Sequence, residues 1–286
     1  MRPSVRKGRS SAAIAAIGLL ITAVAGCGSS KSGSSGSGSA QVPDKALIKG
    51  GELTFCADIS APPLTYYDAN QKPLGAEVDL GDAIATQLGL KPVWANTAFA
   101  GIIPALQAKH CDAVLSQLFI KPARLKVVDM VPYMYSSNTL LVQAGQDKGI
   151  TDSTTLCGHK AAGETGTTVI DYLQTANAAC KTAGKPAIAI SQFGKDSEAF
   201  QQLKLGLVDA YGTTLETAAY AIKQQPGAFK IAGQPFNKIK TGIATRKDDT
   251  VLRDKITSAL ATLQSNGKYA AILKQWNLSG DDISAS

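Results

Sequence analysis

Several side chains in this sequence have types and spacing that could do chemistry. Gly163-Glu-Thr-Gly-Thr-Thr168 stands between an apolar run and a helical pattern. Backbone amides at such a helix N-terminus, with the Thr167 and Thr168 hydroxyls, can hold an anion such as a carboxylate. A simple turn with a Thr N-cap would read the same way. Arg124 closes the segment Ser116–Arg124 (SQLFIKPAR), where a guanidinium can clamp a carboxylate through two parallel bonds. Glu77 and Glu164 are carboxylates that could move protons, and each could equally cap a helix. Cys157, His159 and Cys180 have the chemistry of metal ligands. With 2 histidines in the chain and no CxxC pair, no metal is expected. No GxxxxGK[ST], HExxH or glycine fingerprint between strand and helix is present, so nothing points to a nucleotide cofactor or a known catalytic set.

The elements that must position these groups alternate. ELTFCAD reads as a strand, followed by the loop APPL (Ala61 to Leu64). Residues 77–89 carry Leu80, Ile84 and Leu88 four apart and end at Gly89, the pattern of a capped helix. KPVWA, a short helix over FAGIIPALQAK and the strand DAVLS follow. NTLLVQ opens a second series: KAAGE, a helix over 167–183, AIAIS, a helix over 196–205, LVDAYG and a helix over 214–224. GIATRKD reads as a further strand, and residues 249–265 as a helix with Leu252, Ile256, Leu260 and Leu263 on one face.

Two βαβ series of this kind imply two small doubly wound α/β lobes. Ligand crevices in such sheets lie beyond the carboxyl ends of the strands. Four segments sit there: APPL with Ala61 and Leu64, Ser116–Arg124, Glu164–Thr168, and Thr213–Thr214. A solute shared by two lobes should meet them together, with Phe99 and Phe119 as apolar walls.

The N-terminus reads as an address. Residues 2–9 are basic, and 12–25 form a 14-residue apolar run, too short to span a bilayer comfortably. The run ends in Val24-Ala25-Gly26-Cys27, which resembles a lipobox, with lipid expected on Cys27. The Gly/Ser stretch after it is a flexible tether with a reach of roughly 20 Å. Exporting the chain puts Cys56, Cys111, Cys157 and Cys180 in an oxidising compartment, where four cysteines allow three pairings. Cys157 and Cys180 flank one helix-sized segment, while Cys56 and Cys111 border two runs that suit neighbouring strands.

The 286 residues are 44% apolar and 18% charged, which excludes a wholly disordered chain. The net charge of +7 owes much to Arg2, Arg6, Lys7 and Arg9; without them 25 basic residues face 22 acidic ones. That balance gives no case for a nucleic-acid surface.

The runs LTFCAD…APPL…GAEVDLGDAIATQLG…GIIPALQAKHCDAVLS…KPAR resemble the first lobe of the solute-binding proteins of ABC importers, in the family carrying mostly polar amino acids. LCGHKAAGETGTT…LKLGLVDAYGTT…GIATRKDD…LQSNGKYAAILKQWNL resembles that family's second lobe and C-terminal return, over about residues 47–278 in all. The resemblance implies a two-lobed periplasmic-binding-protein (Venus-flytrap) fold with two hinge strands, near 136–142 and 234–242. It implies a signal peptide (1–26), a tether (27–43), lobe 1 (44–137 and 240–278), lobe 2 (138–239) and a tail (279–286). It also implies a non-catalytic, monomeric, lipid-anchored receptor at the outer face of the cytoplasmic membrane. Its partners would be a small solute and an ABC permease with its ATPase, and it would need no cofactor. A dehydratase-like enzyme on the same fold and a surface sensor are the alternatives.

The cysteines of a lipoprotein branch of that family imply the pairs Cys56–Cys111 and Cys157–Cys180. Arg124 matches the arginine that grips the ligand's carboxylate, assisted by Thr168; Ser116, Gln117, Leu118 and Phe99 fall at lining positions. Ala61 replaces an aromatic residue, Phe119 a serine or threonine, and Lys121 a threonine. Thr214 stands where an aspartate pairs with the ligand's α-ammonium group. Thr213, Gln117 and Tyr211 nearby add only neutral partners, and Glu77 could compensate or cap its helix. The carboxylate end is expected to be kept and the ammonium end lost, so the ligand is expected not to be a standard α-amino acid bound by the usual pair of charges.

Overall fold

The computed structural model describes residues 42–284. The signal segment, Cys27 and most of the tether lie outside the described residues. β1 (Glu52–Ala57) leads to a small hairpin, β2 (Tyr66–Tyr67) and β3 (Pro73–Leu74), and to α1 (Ala76–Gln87). β4 (Lys91–Asn96), α2 (Ile102–Gln107), β5 (Ala113–Val114) and α3 (Pro122–Leu125) complete the first series. A long strand, β6 (Val128–Gln143), carries the chain across. The second series comprises β7 (Lys160–Glu164), α4 (Thr168–Thr182), β8 (Ala189–Phe193), α5 (Asp196–Lys204), β9 (Ala210–Thr214), α6 (Leu215–Gln224) and β10 (Phe229–Ile231). β11 (Phe236–Arg246) returns to the first lobe, followed by α7 (Thr250–Ser265) and α8 (Lys268–Gln275).

The strand order is β4-β1-β5-β11-β6-β9-β7-β8, with β10 also on β6. β1 runs parallel to β4 and β5, and β7 parallel to β8 and β9, as βαβ units require. β6 and β11 pair antiparallel and join the two parallel parts. Leu80 and Ile84 of α1 and Leu252, Ile256, Leu260 and Leu263 of α7 fill one core, while Ile102 and Leu106 of α2 cover the other face of the first lobe. In the second lobe α4 covers one face, and α5 with α6 the other.

β6 passes from one lobe to the next, and its side chains record the passage. Val131, Tyr133 and Met134 belong to the first lobe's core, and Leu140 to Val142 to the second's. Between them Ser136, Ser137, Asn138 and Thr139 are buried but polar, a joint packed into neither apolar core.

Four element readings need correction. NTLLVQ does not begin a strand; it ends one that starts at Val128. Pro132 and the polar joint disguise that strand, and Pro132 is tolerated because the β6–β11 register shifts beside its partner Gly242. GIATRKD is the end of β11, which begins at Phe236. DAVLS is a strand only at Ala113–Val114, although the Asp112 and Leu115 N–H groups also donate to the Thr54 and Cys56 carbonyls of β1 (2.8 and 3.1 Å). AIAIS lies two residues too early: β8 runs to Phe193, which brings the start of α5 to a strand's carboxyl end.

Both cysteine pairs are bonded. Cys56 on β1 joins Cys111 just before β5, and Cys157 ties the approach to β7 to Cys180 on α4, with Cα atoms 5.6 Å apart in each.

Candidate functional site

A cleft runs between the lobes at the carboxyl ends of β1, β5, β7 and β9. Arg124 occupies one pole. Its guanidinium lies 5.5 Å from the centre of the Phe99 ring. It donates to the Phe119 carbonyl (3.0 Å) and, across the cleft, to the Gly166 carbonyl (3.4 Å). Burial pulls its pKa down to about 10, against the support of Asp171. An arginine held this way by carbonyls and a ring keeps donors free for a carboxylate. Thr168 lies beside this pole, its hydroxyl bonded to Asn138 (2.9 Å). Thr167 caps the turn by donating to the Glu164 carbonyl (2.7 Å).

The other pole is acidic. Asp58 follows β1 directly; it accepts the Ser60 hydroxyl and the Phe99 N–H (3.2 Å). Asp196 opens α5, accepting the Tyr211 hydroxyl and that of Thr213 (3.2 Å), while its own N–H donates to Ser60 Oγ (3.0 Å). Glu164 ends β7, and all three acids are buried. Burial, then the charges of Asp58 and Asp196, push the Glu164 carboxyl far above the usual carboxylate range. Burial raises Asp196 to about 7, against the bonds from Tyr211 and Thr213.

Beneath the cleft, Gln117 adopts φ 45°, a left-handed conformation that a non-glycine residue holds only when its surroundings fix it. Its N–H donates to Glu77 (2.6 Å), which also accepts the Tyr133 hydroxyl and that of Thr65 (3.3 Å). Its amide reaches Ser136 Oγ (3.0 Å) and Glu216 Oε2 (2.9 Å) on α6. The lobes meet elsewhere too: Lys121 pairs with Asp171 of α4 at 2.6 Å. A Cβ on Gly166, whose φ is 85°, would come within 3.0 Å of the Ala100 Cα. The cleft is therefore closed, with one wall from each lobe.

The family profile for bacterial extracellular solute-binding proteins, family 3, matches residues 53–279. The chain belongs to that family. It is 29% identical over 231 residues to the ABC transporter arginine-binding protein 1 of Escherichia coli (strain K12), covering 79% of this chain and 90% of that protein. The structure of an ancestral arginine-binding protein bound to arginine superposes with a TM-score of 0.73 at 35% identity, covering 79% of this chain and 98% of that one. An ancestral amino acid-binding protein described as a precursor of cyclohexadienyl dehydratase has a TM-score of 0.72 at 30% identity, over 79% and 95% of the two chains.

In this solute-binding protein, the residues drawn from the strand-end rule converge on the cleft. Ala61, Leu64, Phe99, Ser116, Gln117, Phe119, Arg124, Thr167, Thr168 and Thr214 all line it. Leu118 does not; its side chain packs in the first lobe's core and its carbonyl accepts the Gly242 N–H at 2.9 Å. Thr214 is the N-cap of α6, its hydroxyl accepting from the Thr217 N–H (3.5 Å). Glu77 is no cleft group and no helix cap; it is the buried strut under Gln117.

Residue 214 is neutral, but Asp58, Glu164 and Asp196 line the same cleft. Glu164 lies in a segment expected at the crevice, whereas Asp58, Asp196 and Asn138 are lining groups that the sequence analysis does not single out. Asp58 ends the very run read as a strand, so the strand-end rule already pointed to it. Asp196 was hidden by the two-residue error at β8.

Proposed function

We propose that this protein is the solute receptor of an ABC importer, lipid-anchored through Cys27 at the outer face of the cytoplasmic membrane. It acts as a monomer that delivers its solute to a permease driven by an ATPase. Its solute carries a carboxylate, gripped by Arg124 with the Thr167–Thr168 turn, and a cationic group facing Asp58, Glu164 and Asp196. The observation that carries this reading is the pairing of a half-buried arginine with an opposing buried acid pole between two closed lobes. Burying a solute cation without such a partner would cost several kcal/mol. Arginine and its relatives have the right ends, in keeping with the arginine-binding proteins this chain resembles. The cationic group sits away from residue 214, whose hydroxyl already caps α6, so an α-ammonium group contributes less than usual.

Thermal-shift and calorimetric titration of the mature protein with L-arginine, L-lysine, L-glutamine, L-glutamate and 5-guanidinopentanoate tests this. The guanidino acids should bind best, and 5-guanidinopentanoate, which lacks the α-amino group, should stay within about tenfold of L-arginine. Preference for L-glutamate would contradict the acid pole. Cys27→Ala should release the protein from the membrane or leave it unprocessed; unchanged retention would contradict the anchor.

A second reading has one observation in its favour. Glu164 is a buried carboxyl held protonated in the cleft, as a general acid must be, and one structural neighbour is described as a precursor of a dehydratase. That reading requires a solute to be consumed on incubation with the protein, and it loses Glu77 as a partner.

A further inference from the structure

The acid pole is short of positive charge. Asp58 comes from the first lobe, Glu164 and Asp196 from the second, and they are 3%, 5% and 6% exposed. Their polar neighbours are neutral: the hydroxyls of Ser60, Tyr211 and Thr213 and the Phe99 N–H. Among the described residues, no ion pair reaches any of the three. Arg124 lines the same cleft but turns its guanidinium to the Phe119 and Gly166 carbonyls. Lys195, beside Asp196 in sequence, is exposed on an outer groove that also reaches Asp58 and Ser60, yet forms no ion pair with any of the three acids. Glu164 Oε1 is buried with no hydrogen-bond partner. Asp58 and Asp196 line the same cleft as this carboxyl, and Ser60 links the two, accepting the Asp196 N–H and donating to Asp58. Buried carboxyls that share one cleft without a cation disfavour one another's ionisation. The described residues form no His, Cys, Asp and Glu grouping able to hold a metal ion, so the partner these acids suit is a proton or an organic cation.

We infer that the Asp58–Glu164–Asp196 cluster holds a proton in the solute-free closed cleft and exchanges it for the cationic group of the solute, so that capture at neutral pH releases one proton to solvent. One positive charge enters and one leaves, and the orphaned Glu164 oxygen gains a donor. This rests on the reading above that the solute carries a cation. Burial and the two neighbouring acid charges keep the proton on Glu164 at neutral pH, and an ammonium or guanidinium in contact removes that preference. Affinity must then rise with pH, by up to about tenfold per unit for one proton released. Glu164 thereby becomes a specificity-determining residue: a neutral solute leaves its proton in place and gains no such dependence.

The test is calorimetric titration of the mature full-length protein with L-arginine at pH 7, in phosphate and in Tris, whose ionisation heats differ. The expected result is a buffer-dependent heat equivalent to about one proton released per arginine bound. In Glu164→Gln that dependence should fall to near zero, and arginine affinity should fall at least about tenfold. Asp196→Asn, which keeps a polar group for Tyr211 and Thr213, serves if Glu164→Gln does not fold. Arginine binding with the same heat in both buffers and a pH-independent affinity overturns proton exchange and leaves the cationic-solute reading standing. L-Glutamine binding where L-arginine fails overturns both.

Discussion

Arg124 makes its protein contacts with carbonyl oxygens and a ring face, none of which needs it in order to fold. Arg124→Ala should therefore weaken solute binding by roughly 2–4 kcal/mol while leaving the melting temperature nearly unchanged. Arg124→Lys should recover little, because an ammonium cannot reproduce the planar fork. Calorimetry beside thermal unfolding separates the two effects; unchanged affinity would make Arg124 a surface residue. Glu77 and Glu216 behave oppositely. Burial lifts each to about 7, above the ordinary carboxylate value, despite the hydrogen bonds that pull them down. The folded state then holds protons that the unfolded chain gives up between about pH 4.5 and 7. Stability is thus highest below that window and falls as pH rises through it. Thermal unfolding should show a higher midpoint at pH 5 than at pH 8, with the slope reduced in Glu77→Gln. A midpoint that climbs across this range would contradict the assignment. Residues announced by strand ends are legible in the sequence, among them Arg124, Ser116, Thr168 and Thr214. Asp196 is not, because reaching the cleft depends on where β8 stops, and boundaries are the weakest part of any pattern reading.

At the scale of elements, the parallel units and their helices followed from alternation and from the i, i+4 leucines of α1 and α7. The hinge strands did not. The middle of β6 carries buried polar residues, Ser136 to Thr139, because the strand leaves one core before entering the next. Apolar periodicity fails there for a physical reason, which splits a 16-residue strand into fragments when read as sequence. The turn between β7 and α4 shows how an element sets closure. Gly166 takes φ 85° and packs on Ala100 of the opposite lobe, so a methyl group there meets both backbone strain and the Ala100 backbone. Gly166→Ala should keep each lobe folded yet hold them apart, lowering solute affinity at least about tenfold. An unchanged dissociation constant in calorimetry would contradict the packing role.

For the whole molecule, closure joins what no single lobe has. The arginine pole, Asp58 and Phe99 come from the first lobe, and Glu164, Asp196 and the threonine turn from the second. A solute touching both walls favours the closed form because only that form offers it both sets of contacts. Lys121–Asp171 and Gln117–Glu216 brace the same form from the rim and from beneath. The proposed recognition needs both poles, one for a carboxylate and one for a cation on the same solute. It is tested most directly by titrating the mature protein with L-arginine and with agmatine, the same molecule without its carboxylate. One L-arginine should bind per chain and agmatine at least about a hundredfold more weakly, reflecting the lost contact with Arg124. Equal binding of the two, or binding of neither, would contradict the account.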